Sequence, residues 1–318
     1  MTPALELRDL TKCYGSFTAV AGLDLVVPRG VVYGFLGPNG AGKTTTLRLI
    51  LDIIKPSRGS IRILDEDSAL KVRDKIGYLP EEKGLYKKMR TWGIIAYFAM
   101  LKGLSRKAAK KRAYELLEEY GLKEFADKTT ESLSKGMGQK VQILACLAHD
   151  PELLILDEPF SGLDPVNQQL METIFHDLAR RHRTILFSTH VMQHAERLCD
   201  RILLLAKGRK IFDGTVPEAK QTIPRRVLLE TQADARALAG LPEVLSILQL
   251  ESNAPAGAPL DNATQHWEIQ LRENADPQKI LEACFSRGIR LSRFNHAEPS
   301  LHEVFVQLVG AQKLEARL

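Results

Sequence analysis

The sequence predicts an α/β fold: a largely parallel sheet covered by helices, followed by a smaller α+β domain. Three observations predict it. Short apolar runs alternate with helix-period segments through the first two thirds of the chain. A buried-strand run at residues 31–36 leads through a glycine-rich loop into an apolar-periodic segment at 43–54 with Leu47, Ile50, Leu51 and Ile54. From residue 225 onward the pattern changes to strand, helix, strand, strand, helix, strand, the order of a ferredoxin-like module.

The elements follow in order. Residues 1–30 read as short strands with turns at Tyr14-Gly15 and Pro28-Arg29-Gly30. The loop after the 31–36 strand is Gly37-Pro38-Asn39-Gly40-Ala41-Gly42-Lys43-Thr44, the spacing of a phosphate-binding loop. Its glycines let backbone N–H groups close around phosphates, and the following helix N-terminus favours an anion. In this chemistry Lys43 reaches the β- and γ-phosphates and the Thr44 hydroxyl ligates Mg²⁺. Residues 86–150 are mostly helical and read as an inserted helical subdomain. Within it the basic run 106–112 is read as a solvated helix face rather than a nucleic-acid site, with Ser105 as cap, Tyr114, Leu116, Leu117 and Tyr120 on the apolar side and Gly121 as the stop.

Leu153-Leu154-Ile155-Leu156 is a buried parallel strand that ends in Asp157-Glu158. Acids at such an end are either solvated or sit where open α/β sheets place ligands, and the phosphate loop favours the second. Asp157 then suits the Mg²⁺ shell and Glu158 a general base acting on the attacking water. Leu133-Ser134-Lys135-Gly136-Met137 opens a helix; Ser134 there is an ordinary N-cap or part of a second anion site. His190 follows the strand at 184–187, at the same sheet edge as Lys43 and Glu158, in reach of a γ-phosphate. Residues 201–205 and 210–212 read as a terminal hairpin.

Taken together, Tyr14, Gly37 to Thr45, Glu81, Leu133 to Met137, Asp157-Glu158, Ser161-Gly162-Leu163-Asp164 and His190 resemble the ATP-binding subunit of an ABC transporter over roughly residues 4–215. The wording Gly34-Phe35-Leu36-Gly37-Pro38-Asn39-Gly40 and Gly77-Tyr78-Leu79-Pro80-Glu81-Glu82 resembles the bacterial sodium/drug-export subfamily. The resemblance implies a P-loop NTPase ABC cassette at 1–215 with its helical subdomain at about 86–150, a linker at 216–224, and an accessory domain at 225–318. It implies that Tyr14 stacks on adenine. Gly37, Pro38, Asn39, Gly40, Ala41, Gly42, Lys43, Thr44 and Thr45 would hold ATP, and Thr44, Asp157 and Glu81 would lie around Mg²⁺. Glu158, His190 and Lys43 would serve hydrolysis. Ser134 and Gly136 would bind the γ-phosphate held by a second cassette, a homodimer closing head to tail, with Asp164 coupling the two sites. Glu81 stands where the family usually has glutamine, Lys135 where it has glycine, and Met137 where it has glutamine.

The function so implied is an ATP-hydrolysing subunit powering a membrane exporter; a non-transport ABC ATPase acting on a ribosome, DNA or a protein complex is the alternative. A separate transmembrane permease is the expected partner, docked near residues 81–98 through exposed Leu85, Tyr86 and Trp92 unless these pack inside the subdomain, and no nucleic acid is expected. The chain would be cytoplasmic, peripheral on the inner face of the membrane. Composition agrees: 318 residues, 44% hydrophobic and 26% charged, suffice for two domains, and no run approaches the ~20 apolar residues of a membrane span. The beginning of the chain carries acids and reads as a strand, so no secretory leader is expected. Net charge of +5 is compatible with work near an anionic membrane surface. Cys13, Cys146, Cys199 and Cys284 lack metal spacing and read as buried thiols. His266, His296 and His302 are separated and read as surface residues. The accessory domain carries no catalytic constellation, so a dimerising or regulatory role is expected, with a passive stabilising role beside it.

Overall fold

A computed structural model describes residues 2–82, 84, 86, 88–250 and 264–315. The chain divides into two compact units, Met1–Val216 and Pro217–Leu318.

In the first unit β1 (Leu5–Tyr14) and β2 (Phe17–Val27) pair antiparallel across the Tyr14-Gly15 turn. Next come β3 (Val32–Leu36), α1 (Lys43–Ile50), β4 (Arg58–Ile63) and β5 (Ile76–Leu79). The helical insertion is α2 (Thr91–Leu101), α3 (Arg106–Glu119) and α4 (Lys135–Leu147). The unit continues with β6 (Leu153–Asp157), α5 (Pro165–Arg180), β7 (Thr184–Thr189), α6 (Met192–Leu198), β8 (Arg201–Ala206) and β9 (Arg209–Thr215).

Six of these strands form one sheet in the order β5-β6-β7-β3-β8-β9, parallel except for the β8–β9 hairpin. This is the largely parallel sheet the sequence predicts, and the strands at the start of the chain lie outside it. There β1 and β2 join β4 in a separate three-stranded antiparallel sheet, β2-β1-β4. β4 escapes a sequence reading because it is a mostly exposed edge strand, Arg-Gly-Ser-Ile-Arg-Ile, with Ile63 its buried residue. β3, β6 and β7 are buried along their whole length, which is why each is built around an apolar run. Successive side chains still take opposite faces. Tyr33, Phe35, Leu153, Ile155 and Leu186 join one core with β1, β2 and α1. Val32, Leu154, Leu156, Ile185 and Phe187 join a second core with α2 to α5.

The helices obey their local signals. Ser105 Oγ accepts from Ala108 N at 3.3 Å to cap α3, which buries Ala109, Ala113, Leu116 and Leu117 and leaves its basic residues mostly exposed. Asp164 caps α5 by accepting from Asn167 N at 2.8 Å, with Pro165 in the first turn, where no helical N–H is needed. α1 ends at Ile50, short of the expected 54, because residues 51–54 turn out of the helix, with Asp52 in the left-handed region.

The second unit holds β10 (Arg226–Thr231), β11 (Val244–Leu250), β12 (Gln265–Leu271), α8 (Pro277–Ser286), β13 (Leu291–Ala297) and α9 (Leu301–Glu315). Its sheet runs β11-β12-β10-β13 with all neighbours antiparallel. Val227, Leu229, Trp267, Ile269 and Leu271 pack with Ile280 and Cys284 of α8 in its core. One expectation is corrected. The first helix that the sequence pattern places after residue 225 is only a 3₁₀ stretch, Ala235–Gly240, opened by Asp234 and ending before Leu241-Pro242. α7 (Val216–Gln221) lies in the segment read as a linker, with Val216 and Ala219 buried.

Candidate functional site

β3 delivers the chain at Leu36 and α1 takes it up at Lys43. Two glycines in the intervening loop are required by close backbone approach. A Cβ at Gly37 would fall 2.3 Å from Leu205 O, and one at Gly42, where φ is +99°, would fall 2.5 Å from Ala19 O. Ala41 is buried, while Pro38, Asn39 and Gly40 are exposed at the crest. The first turn of α1 has no side-chain cap and no acidic residue, so its N–H groups are left for an anion. Lys43 is only 6% exposed; its Nζ donates to Gly37 O at 2.7 Å and Pro38 O at 3.3 Å. Thr44 and Thr45 follow, both partly buried.

The neighbouring order β6-β7-β3 brings three parallel strand ends to this loop. Asp157 Oδ1 accepts from Thr44 Oγ1 at 3.3 Å and from Ser188 Oγ. Glu158 is buried with a left-handed φ of +48°. Its N–H donates to Ser188 Oγ at 3.0 Å. Its Oε1 lies 3.0 Å from His190 Nδ1 and 3.6 Å from Lys43 Nζ. The structure thus gathers Lys43, Thr44, Asp157, Glu158 and His190 into one cluster.

Asp157 Oδ2 is buried with no hydrogen-bond partner. Beside the Thr44 hydroxyl, this free carboxylate oxygen fits a hard divalent cation such as Mg²⁺, which takes few protein oxygens and completes its shell with phosphate and water. Among the described residues no cluster of three His, Cys, Asp or Glu competes for a metal.

Among the described residues, no hydrogen bond or ion pair joins the other expected site residues to this cluster. Ser134 Oγ caps α4, accepting from Met137 N at 3.2 Å, and Gly136 follows it in the first turn. Tyr14 is 50% exposed with Lys12 Nζ 5.1 Å from its ring centroid. Glu81 stands exposed beyond β5 and, among the described residues, makes no recorded contact with Thr44 or Asp157. Of the expected docking residues, Leu85 lies outside the described residues and Tyr86 is 58% exposed. Trp92 is corrected: it is partly buried, its ring stacked 5.9 Å from that of Tyr114.

Three residues gain roles the sequence did not assign. Ser188 bonds both acids, a hydroxyl at a buried strand position where an apolar residue is the norm. Gln139 is a buried amide in an apolar helix, donating from Nε2 to Pro159 O. Asn167 donates from Nδ2 to both oxygens of Asp164, at 3.0 and 2.8 Å. The four cysteines are free thiols, and burial pushes Cys146 up to about 12.

A phosphate loop facing a carboxylate pair on the next strands of a parallel sheet defines a P-loop nucleoside triphosphatase. Comparison with known proteins narrows the class. Residues 20–161 match the family model for ABC transporter, and residues 214–309 that for ATP-binding protein DrrA1-3-like, C-terminal domain. The Nod factor export ATP-binding protein I of Burkholderia orbicola (strain AU 1054) is 38% identical over 318 residues, 97% of this chain and 97% of that protein. The daunorubicin/doxorubicin resistance ATP-binding protein DrrA of Streptomyces peucetius is 33% identical over 315 residues, 97% of this chain and 93% of that one. A solved dimeric ATP-binding cassette in a post-hydrolysis state, bound to ADP and Pi, matches with TM-score 0.61 and 25% identity over 67% of this chain and 98% of its own.

The chain belongs to the ABC transporter ATP-binding proteins. It is an ATP-binding ABC ATPase, of a kind that dimerises and works with transmembrane partners. The non-transport alternative is set aside by these relatives. Among the described residues no helix is long and apolar enough to cross a membrane.

Proposed function

We propose that this chain is the ATP-hydrolysing subunit of a membrane exporter, acting as a head-to-tail homodimer bound to a separate permease on the inner face of the membrane. The observation that carries the chemical part is the contact set Thr44–Asp157 and Glu158–His190, with Lys43 beside it. Lys43 and the loop N–H groups bind the triphosphate. Thr44 and Asp157 hold Mg²⁺, which when bound neutralises developing phosphate charge. Glu158 accepts a proton from the attacking water, and His190 fixes the orientation of the Glu158 carboxylate. Tyr14 covers the adenine ring.

Ser134 and Gly136, at the N-terminus of α4, serve the nucleotide of the opposite protomer. The export relatives support the direction of transport. The second unit carries no phosphate-binding or acid–base cluster among its described residues, so it is dispensable for nucleotide chemistry and acts in regulation or dimer lifetime. Co-purification from native membranes tests the transport reading. A bound polytopic membrane protein that stimulates hydrolysis is the expected result; a ribosome or nucleic acid as the stoichiometric partner contradicts it.

A further inference from the structure

We propose that Gln139 is a positioning residue for Glu158, tying the helix that presents Ser134 to the turn that carries the general base of the same protomer. The inference rests on the reading of Glu158 and Ser134 given above. Gln139 lies in α4, 2% exposed, and its Nε2 donates to the carbonyl of Pro159, the residue next to Glu158. Glu158 adopts φ +48°, a conformation non-glycine residues rarely take and keep only where the surroundings enforce it.

The enforcing bonds can be named. The Glu158 N–H donates to Ser188 Oγ at 3.0 Å, the Glu158 carbonyl accepts from Ser161 N at 3.1 Å, and the Pro159 carbonyl accepts from Gln139. β7 supplies the first bond and the turn itself the second. The third comes from α4, the helix that Ser134 opens.

A second contact fastens the same two pieces. A Cβ at Gly136 would fall 2.2 Å from Asn167 Nδ2, so the first turn of α4 lies directly against Asn167. The Asp164 carboxylate holds Asn167 by its backbone N–H at 2.8 Å and by its amide. The start of α4 is thus joined to the 158–167 segment at both ends of that segment. Ser134 and Gln139 are about 7–8 Å apart along one helix, at about 1.5 Å rise per residue, and such a helix moves as a unit. When the opposite protomer's nucleotide seats against Ser134, the shift passes through Gln139 to Pro159 and sets the Glu158 carboxylate. The side chain must be a donor, since an apolar one of the same size leaves the buried Pro159 carbonyl without this partner.

The test uses the full-length protein with Gln139→Met, similar in volume but without a donor, and Gln139→Glu. Gln139→Met is expected to lower kcat on the order of tenfold with the KM for ATP little changed, and to bring the Hill coefficient for ATP toward one. In a Glu158→Gln background it should leave ATP-dependent dimerisation intact. Gln139→Glu adds a readout that a packing role would not move. A protonated carboxyl can donate to Pro159 O and a carboxylate cannot, so its kcat relative to wild type should rise from pH 8 to pH 6, while the Gln139→Met ratio stays flat.

Wild-type kcat and cooperativity in folded Gln139→Met overturn the inference, as does loss of ATP affinity and dimerisation in step with kcat. If Gln139→Met does not fold, a pH-independent ratio for Gln139→Glu overturns it. Full hydrolysis by Glu158→Gln would instead overturn the reading on which it rests.

Discussion

His190 Nδ1 lies 3.0 Å from Glu158 Oε1, so the end of β7 holds the carboxylate at the end of β6. Asp157 and Ser188 are register partners in the same strand pair, which places both contacts on one rigid ladder. The catalytic geometry is therefore anchored at the ends of two neighbouring strands.

His190→Ala removes that contact and leaves the Lys43 and Thr44 positions in place. The expected result is a kcat lower by roughly 10²-fold, the cost typical of losing one preorganised polar group, with the KM for ATP changed little. Steady-state kinetics on the purified protein checks it, and a change confined to KM would remove His190 from the hydrolytic step.

Ser134 serving the opposite protomer's nucleotide makes each site a composite of two chains. Lys43→Ala homodimers and Ser134→Arg homodimers should both be inactive. Mixed dimers of the two should regain activity, because one of their sites combines an intact phosphate loop with an intact Ser134. Verified mixed dimers that recover no hydrolysis would show that Ser134 does not serve the opposite nucleotide.

Two histidines, His194 buried and His149 half-buried, set a pH dependence of stability. Burial is the main cause holding His149 below the ordinary histidine range, with the Lys102 ammonium adding to it. Burial likewise lowers His194, helped by Arg197 and His190. Each has a buried Nδ1 without a partner, so protonation would add an unsatisfied N–H in the core. With folded pKa values depressed, the unfolded chain binds more protons below about pH 6.5, and stability falls as pH drops below that value. Thermal unfolding should show a lower midpoint at pH 5.5 than at pH 7.5. The difference should shrink in His149→Gln, which keeps a donor for the Ile76 carbonyl; an unchanged pH profile would assign the effect elsewhere.

The second compact unit begins at Pro217. A chain ending at Val216 should bind ATP as the full chain does, because every contact in the Lys43–Glu158 cluster lies before that point. Isothermal titration with Mg-ATP on the soluble truncation reads this directly. Soluble, folded protein without ATP binding would mean that the second unit helps to build the site.

Much of the site could be read in the sequence because its chemistry is local. The phosphate loop, the Asp157-Glu158 pair and the His190 strand end are each contiguous words attached to buried strands whose apolar runs announce themselves. The contacts among them were not visible, since they depend on strand order, and β3, β6 and β7 are neighbours only in space. Ser188 and Gln139 were passed over for the same reason: a hydroxyl or amide in an apolar segment acquires meaning only when its partner carbonyl or carboxylate is known. β4 leaves no sequence signal because an exposed edge strand carries no apolar run, and the 3₁₀ stretch Ala235–Gly240 has a helix-favouring composition until Pro242 intervenes. Trp92 was read as exposed because an aromatic in a helix shows no sign of the Tyr114 ring and Lys110 ammonium that cover it.

The central claim is that Glu158 is the general base of an ATPase. Its most direct measurement is the rate of phosphate release from Mg-ATP by highly purified wild-type and Glu158→Gln proteins, with ATP binding measured on the same samples. The account predicts that the variant binds ATP as well as wild type, dimerises with it, and turns it over at least about 10²-fold more slowly, since an amide cannot accept the proton of the attacking water. Equal rates of phosphate release from the two proteins, in samples free of other ATPases, would contradict it.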